Sequence, residues 1–324
     1  MAKAILVLAE QLRGQLSDIS FEMLGAGRKL ADQLQAPLYA VLLGNEAGPL
    51  ATKLGAADKV LWLDSPEFNL PQASPAANAL KTILEQTQAG LVLIGGTNLS
   101  MGIGSILSTR AKLPFVNFCR NAKVENGAVV LTSQLFGGKI LSDVRLADAK
   151  GIVSVYPGAF PADAGKSDKT PPVEKIALAA EAAKIVFKQY LEPDTSDVDI
   201  TKQNALVAVG RGIQNQDNVA MAQELADALG GAVCASRPVI DQGWLPLSRQ
   251  VGKSGMTVKP RLYFAFGISG APEHWEGMQN SACIVAVNTD AKAPIFDGAH
   301  FGFCGDALEL LPVLTEKIKA RKGA

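Results

Sequence analysis

The chain has 324 residues, 48% hydrophobic and 19% charged, a balance that suits two compact α/β domains with substantial cores. Lys plus Arg number 31, as do Asp plus Glu, so the formal net charge is zero, without the basic stripe of a nucleic-acid footprint. Two histidines (His274, His300) and four scattered cysteines (Cys119, Cys234, Cys283, Cys304) exclude a His-rich metal site, a CxxC zinc knuckle and a disulfide framework. No metal ligand is assigned, and the cysteines read as buried thiols of a reducing compartment.

In chain order, the run Ala4 to Ala9 is too short for a signal-peptide core and reads as a first strand. No segment approaches the roughly 18 apolar residues of a membrane helix, so a soluble, cytoplasmic protein is expected. Ser20 to Leu34 has the periodicity of a helix, and the β-branched runs Leu38 to Leu43, Lys59 to Leu63 and Leu91 to Gly95 read as buried parallel strands. From about Cys119 the pattern changes. Ala128 to Thr132, Leu135 to Leu141 and Ile152 to Tyr156 read as strands with Gly-rich turns, in antiparallel or mixed pairing at a sheet edge. Pro157 to Pro172 is a Pro- and Gly-rich loop, and Val173 to Tyr190 is helix-like. The acidic stretch Glu192 to Asp199 is the expected boundary, giving domains at 1–191 and 205–324 with a linker at 192–204.

The alternation then restarts. Ala205 to Val209, Ala232 to Ala235, Arg261 to Phe266 and Cys283 to Val287 are strands. Asn218 to Leu229 is a helix closed by Gly230 and Gly231, and a last helix runs from Ala307 to Lys319. The fold class is therefore α/β in two domains: a mostly parallel N-terminal sheet and a doubly wound C-terminal unit. The basic tail Lys317, Lys319, Arg321 and Lys322 reads as a solvated helix end.

In the first domain the loop Gly95 to Gly104 resembles a phosphate-cradling turn, but it lacks both GxGxxG spacing and a Walker lysine, so tight packing is the favoured reading. Asp143 and Arg145, two apart in a strand, read as a buried or edge ion pair. The second domain differs. Arg211 follows one strand, Ser236 and Arg237 another, and Gln250 to Gly255 precede the third. Gly267 to His274 follow the third strand and Asn288 the fourth. Strand-end loops of such a unit converge on one crevice. Arginines, hydroxyls and backbone-exposing glycines suit a polyanionic cofactor with a pyrophosphate. No carboxylate pair or nucleophile elbow is placed for chemistry on a substrate, so no catalytic residue is assigned. Singly, these residues have plainer roles: Ser269 as a helix cap, Ser254 as a turn residue, Asp306 capping the last helix.

The run Lys259 to Met278 and the run Ser281 to Phe296 resemble the signature of electron transfer flavoprotein α subunits. Gly210 to Gly212, Ser236 to Asp241 and Gln250 to Gly255 match the same pattern in order and spacing. The resemblance is specific over Leu206 to Leu314 and looser in the first domain, through Leu93 to Thr97 and Val155 to Phe160. It implies a heterodimer with a β subunit and one FAD in the C-terminal domain of this chain. The residues it places around FAD are Arg211, Ser236, Arg237, Gln250, Val251, Gly252, Lys253, Ser254, Gly267, Ser269, Gly270, Ala271, Pro272, Glu273, His274, Asn288, Asp306 and Ala307. Within that set it sets Arg237 against the isoalloxazine, Ser254 near flavin N5 and His274 near the pyrimidine edge. Lys253 and Glu273 stand where Gln is usual, Ser254 for Thr, Pro272 for an aliphatic residue and His300 for Asp. The implied role is an electron carrier between dehydrogenases, such as acyl-CoA dehydrogenases of fatty acid β-oxidation, and a quinone-linked oxidoreductase. An electron-bifurcating, NADH-oxidising complex is the alternative within the family. A nucleotide-hydrolysing α/β enzyme using the Gly95 loop, or a purely structural subunit, are the alternatives outside it.

Overall fold

The computed structural model describes residues 3–69, 72–178, 185, 188–190 and 197–322. The chain divides into two compact units, Met1–Lys188 and Gln189–Ala324. The first unit holds strands β1 (Ile5–Ala9), β2 (Gln11–Leu12), β3 (Gln15–Leu16), β4 (Leu38–Leu43), β5 (Lys59–Leu63), β6 (Leu91–Gly95), β7 (Phe115–Glu125), β8 (Ala128–Leu135), β9 (Ile140–Leu146), β10 (Gly151–Val155) and β11 (Val173–Lys175). Its helices are α1 (Asp18–Leu34), α2 (Gly48–Ala51), α3 (Ala73–Thr87) and α4 (Ile103–Ala111). Nine strands form one sheet in the order β11-β5-β4-β1-β6-β10-β7-β8-β9. Pairing is parallel from β11 to β7 and antiparallel for β7–β8 and β8–β9.

Both faces of this sheet are covered, which is why its central strands are apolar at successive positions. In β1, Ile5, Val7 and Ala9 enter one core with Met23, Leu24 and Leu30 of α1. Leu6 and Leu8 enter the other with Leu80 and Ile83 of α3 and Leu107 of α4. Helix α1 buries Ile19, Met23, Leu24 and Leu30 along one stripe and ends at Gln35, whose left-handed backbone lets its N–H reach the carbonyls of Ala31 and Asp32.

Four sequence expectations change here. Leu135 to Leu141 is not one strand: Gly137 and Gly138 both have positive φ and turn the chain, so that Leu135 pairs with Ile140 across a hairpin. Strand β10 is not at an edge; it lies between β6 and β7 with all five residues buried. The helix expected from Val173 begins instead as strand β11, which extends the free edge of β5 and pairs Glu174 with Lys59 at 2.9 Å. The rest of that expected helix lies mostly at 179–184 and 186–187, outside the described residues, as do 192–196 of the acidic stretch. Asp143 and Arg145 lie exposed on β9 and do not pair with each other. Asp143 accepts from the Thr132 hydroxyl, and Arg145 donates to the Glu125 carbonyl.

The second unit holds β12 (Ala205–Val209), β13 (Ala232–Ala235), β14 (Leu262–Phe266), β15 (Ile284–Asn288) and β16 (Phe301–Cys304), with α5 (Val219–Leu229), α6 (Arg237–Asp241), α7 (Pro272–Met278), α8 (Ile295–Gly298) and α9 (Ala307–Lys322). The sheet order is β13-β12-β14-β15-β16, all parallel. Strand β16 completes the edge and carries no apolar alternation toward a core, since all four of its residues are exposed. On one face Val207, Val209 and Phe266 pack against Leu225 of α5 and Leu311 of α9; on the other Leu206, Ala208 and Tyr263 pack against Met278 of α7 and Ile295 of α8. Helices on both faces make this unit doubly wound. Residues that the sequence assigns to a linker also join it. Ile200 is buried in its core, and Asp197 binds Arg249 and Ser248.

Candidate functional site

The order β13-β12-β14 places strand ends from both winding directions side by side, and a crevice opens there, as the topology of such sheets requires. Its volume is about 790 Å³, within the range of about 300–1,000 Å³ usual for small-molecule sites. The floor is glycine. Gly210 N–H donates to the Phe266 carbonyl and Gly212 N–H to the Gly267 carbonyl, at 2.8 and 3.1 Å. A Cβ on Gly267 would lie 2.6 Å from Gly212 Cα, so these two strand-end loops touch only because neither carries a side chain.

One wall is the loop 250–255. Val251 N–H donates to the Ala235 carbonyl at 2.9 Å, Gly252 N–H to the Met256 carbonyl at 3.2 Å, and Lys253 N–H to the Glu273 carbonyl at 2.7 Å. Gly252 is held at φ +136°, and a Cβ there would stand 2.8 Å from the Glu273 carbonyl oxygen. Buried Gln250 donates through Nε2 to the Ser254 hydroxyl at 2.8 Å. The Ser254 oxygen therefore accepts from within the protein, and its own hydrogen is left to donate. The opposite wall comes from β14 and β15, whose loops are tied by Asn288: Nδ2 donates to the Ile268 carbonyl at 2.9 Å and Oδ1 accepts from Asp290 N–H at 2.9 Å.

Three cationic side chains, Arg211, Arg237 and Lys253, line the crevice against one carboxylate, Glu273. Arg237 is 68% exposed, with Nε 3.3 Å from Asp241 of the same helix. The Lys253 ammonium is 3.9 Å from Glu276. His274 is buried: Nδ1 lies 3.1 Å from the Val251 carbonyl and Nε2 3.0 Å from the Tyr263 hydroxyl. Burial pushes its pKa down to about 4, with the Val251 carbonyl acting the other way.

The structure thus gathers Arg211, Ser236, Arg237, Gln250, Val251, Gly252, Lys253, Ser254, Gly267, Ser269, Ala271, Glu273, His274 and Asn288 on one lining. Four expected residues are not on it. Gly270, at φ +86°, faces α8, where a Cβ would sit 2.3 Å from Ile295 N. Pro272 is the first residue of α7 and starts that helix without needing an N–H. Asp306 caps α9, accepting from Leu308 N–H at 2.8 Å, and Ala307 is buried in the core with Leu311. Three residues not expected line the crevice: Gly212, Pro238 and Ile268. Each adjoins an expected residue, so strand-end position was the signal available for them.

In the first unit the Gly95 loop has another occupant. The Ser100 hydroxyl donates to Glu10 Oε2 at 2.9 Å and the Thr97 hydroxyl to the same oxygen. A Cβ on Gly96 would stand 2.8 Å from the Val155 carbonyl oxygen. The space beside them is a cavity of about 30 Å³, so the glycines serve close packing. Among the described residues no cluster of His, Cys, Asp and Glu is arranged to hold a metal ion, and no helix is long and apolar enough to cross a membrane. Buried Cys119 and Cys234 are pushed up to about 11 and about 12 by desolvation.

A crevice of this size with excess positive charge and a glycine floor fits a dinucleotide cofactor, and the comparisons name it. Residues 199–279 match the electron transfer flavoprotein FAD-binding domain, and residues 5–181 match the electron transfer flavoprotein domain. The second unit is therefore an FAD-binding domain, and the class is a flavoprotein. The electron transfer flavoprotein subunit α of Megasphaera elsdenii is 34% identical over 330 residues, covering 99% of this chain and 98% of that one. Acryloyl-CoA reductase electron transfer subunit β of Anaerotignum propionicum is 33% identical, covering 99% and 96%. Subunit LctC of the lactate dehydrogenase (NAD(+),ferredoxin) of Acetobacterium woodii is 32% identical, covering 98% and 77%. The chain belongs to the electron transfer flavoprotein α-subunit family, and its biochemical class is electron transfer.

Proposed function

We propose that this chain is the FAD-carrying subunit of a heterodimeric electron carrier, completed by a β subunit, that takes electrons from a dehydrogenase and delivers them to a quinone-linked oxidoreductase. One observation carries the reading: among the described residues, the large crevice at the strand ends of the second unit concentrates three cations and no acid–base pair suited to substrate chemistry. FAD supplies the redox chemistry when bound, and the protein sets its environment and access. Arg211 and Lys253 neutralise the pyrophosphate. Arg237, planar and exposed at the crevice, lies against the isoalloxazine. Ser254, its oxygen already held by Gln250, donates its hydroxyl hydrogen near flavin N5. An acyl-CoA dehydrogenase of fatty acid β-oxidation is the donor class we favour, and a cytoplasmic location goes with it.

Co-expression with its β subunit is expected to give a yellow heterodimer that an acyl-CoA dehydrogenase reduces in the presence of its substrate. A colourless complex would overturn the cofactor reading, and a yellow complex that no such dehydrogenase reduces would overturn the donor. The likeness to the Acetobacterium woodii subunit, whose name couples NAD(+) and ferredoxin, favours one second reading, electron bifurcation. It requires a second FAD per heterodimer and oxidation of NADH, and flavin counting decides it.

A further inference from the structure

The turn that leads into the crevice loop is held from behind by the segment through which the chain enters the second unit. Leu247–Arg249, a single 3₁₀ turn directly before Gln250, buries none of its residues, and Leu247 is 67% exposed. Apolar packing therefore does little to fix it. Its side-chain ties are polar. Arg249 Nη1 donates to the Val233 carbonyl of β13 at 2.8 Å, and Nε donates to Asp197 Oδ1 at 2.7 Å. Arg249 Nη2 pairs with the same Asp197 oxygen, and the Ser248 hydroxyl donates to the other. Three of these four ties thus end on one carboxylate. The two charged side chains are only 13% and 16% exposed, so neither ion would be fully solvated if the other were removed.

Asp197 stands on a segment that is itself fastened. Asp199 caps the turn Ile200–Lys202, accepting from Thr201 N–H at 3.0 Å, and Ile200 enters the same core as Val251 of the crevice loop. Neither Asp197 nor Arg249 lines the crevice, so any effect of theirs on the cofactor must pass through the loop. We propose that Asp197 and Arg249 are positioning residues for the FAD site. Their ion pair ties residues 197–203 to the turn before loop 250–255, so that FAD binding and the anchoring of this segment support one another. The inference rests on the FAD reading of the crevice. Linkage makes the effect reciprocal: whatever the anchored segment adds to FAD affinity, bound FAD must add to the anchoring.

Both directions can be measured on the heterodimer. Arg249→Met keeps the stem and removes the guanidinium, and Asp197→Asn keeps the shape and removes the charge. Each should raise the FAD dissociation constant about fivefold, and the double variant should do no worse than either alone, because residues acting through one contact are not additive. Thr201→Val loses the hydroxyl bond to Asp199 and spares the ion pair; it should lower the melting temperature and leave FAD affinity unchanged. In the wild-type protein, adding FAD should slow hydrogen exchange at the Val198 and Thr201 amides, which donate to Asp197 and Asp199. Arg249→Met should abolish that slowing and keep it at Val251 in the crevice loop. Unchanged FAD affinity in the two folded single variants overturns the proposal, as does a double variant about 25-fold weaker, the product of independent effects. An equal loss of affinity in Thr201→Val overturns it too, by reducing the pair to general stability. FAD that slows exchange at Val251 but not at Val198 and Thr201 also overturns it, and that measurement needs no variant to fold. A heterodimer that binds no FAD refutes the cofactor reading instead, so the two failures are told apart.

Discussion

Adding one methyl group to Gly267 should damage the FAD site more than the same addition at Gly230, although both glycines have left-handed backbones, φ +62° and φ +71°. Alanine at either position bears the conformational cost, about 1–2 kcal/mol. At Gly230, which closes α5, a Cβ meets nothing within 4 Å. At Gly267 it meets Gly212 Cα at 2.6 Å, with the carbonyl carbon at 2.8 Å and the nitrogen at 3.0 Å. Carbon atoms rest about 3.5–4.0 Å apart, so the two loops must part by about 1 Å. Overpacking of this kind costs about 1–3 kcal/mol, and here the obstacle is backbone rather than the end of a flexible side chain. Gly267→Ala should therefore lose about 2–5 kcal/mol of stability, and Gly230→Ala about 1–2. Because Arg211 and Ser269 sit on the loops forced apart, FAD affinity should fall about tenfold or more in the first variant, as about 1.4 kcal/mol of lost binding implies, and stay unchanged in the second. Urea unfolding and flavin fluorescence titration of the heterodimer measure both. Gly267→Asn separates the two costs, since Asn tolerates positive φ but has the same Cβ. Equal stability and equal FAD affinity for the two Ala variants would refute the close-approach argument.

Arg237→Ala should keep FAD bound and lower its first reduction potential by tens of millivolts. An exposed charge is worth about 1 kcal/mol, and about 1.4 kcal/mol shifts a one-electron couple by about 59 mV. Asp241→Asn, which frees Arg237 from its 3.3 Å partner, should move the potential the other way in spectroelectrochemical titration. Ser254→Ala should alter the potential with FAD retained while Ser254→Thr, which keeps the hydroxyl, stays near wild type; no change in the Ala variant removes Ser254 from the flavin. The carboxyl of Asp197 is lowered to about 2, chiefly by the Arg249 guanidinium, with burial opposing. A depressed folded pKa means that its stabilisation is complete above the ordinary carboxylate value of 3.8 and is lost as pH falls through about 2. Asp197→Asn should abolish about 1–2 kcal/mol of that acid sensitivity after solvent screening, which denaturant melts at several pH values will detect.

Much of the fold was legible because short runs such as Leu38 to Leu43 and Ala205 to Val209 are apolar at successive positions, the mark of strands covered on both faces. Where the signal was ambiguous, the reading slipped. Gly137 and Gly138 could be a turn or a tolerated pair within a strand, and only their positive φ decides. Val173 to Lys175 has no strand signature of its own and pairs because β5 offers a free edge, a tertiary cause that local sequence does not encode. The exposed edge strand β16 lacks a core-facing alternation for the same reason. The crevice was readable because polar residues at strand ends stand out against apolar strands. Asp306 and Ala307 also lie near a strand end, that of β16, and there one caps α9 and the other packs in the core. The direction of the Tyr263–His274 bond was beyond reach. It depends on the Val251 carbonyl, which comes from a different loop.

The buried carboxylate of Glu10 has a consequence for stoichiometry. Both units are wound sheets, and strand β1, with β4 on one side and β6 on the other, gives the first unit a strand-end crevice of its own. There the protein has already spent the hydroxyls of Thr97 and Ser100 on its own anion. A phosphate arriving at that point would meet the Glu10 carboxyl in a space of only about 30 Å³. Flavin absorbance per polypeptide is then expected to correspond to a single chromophore.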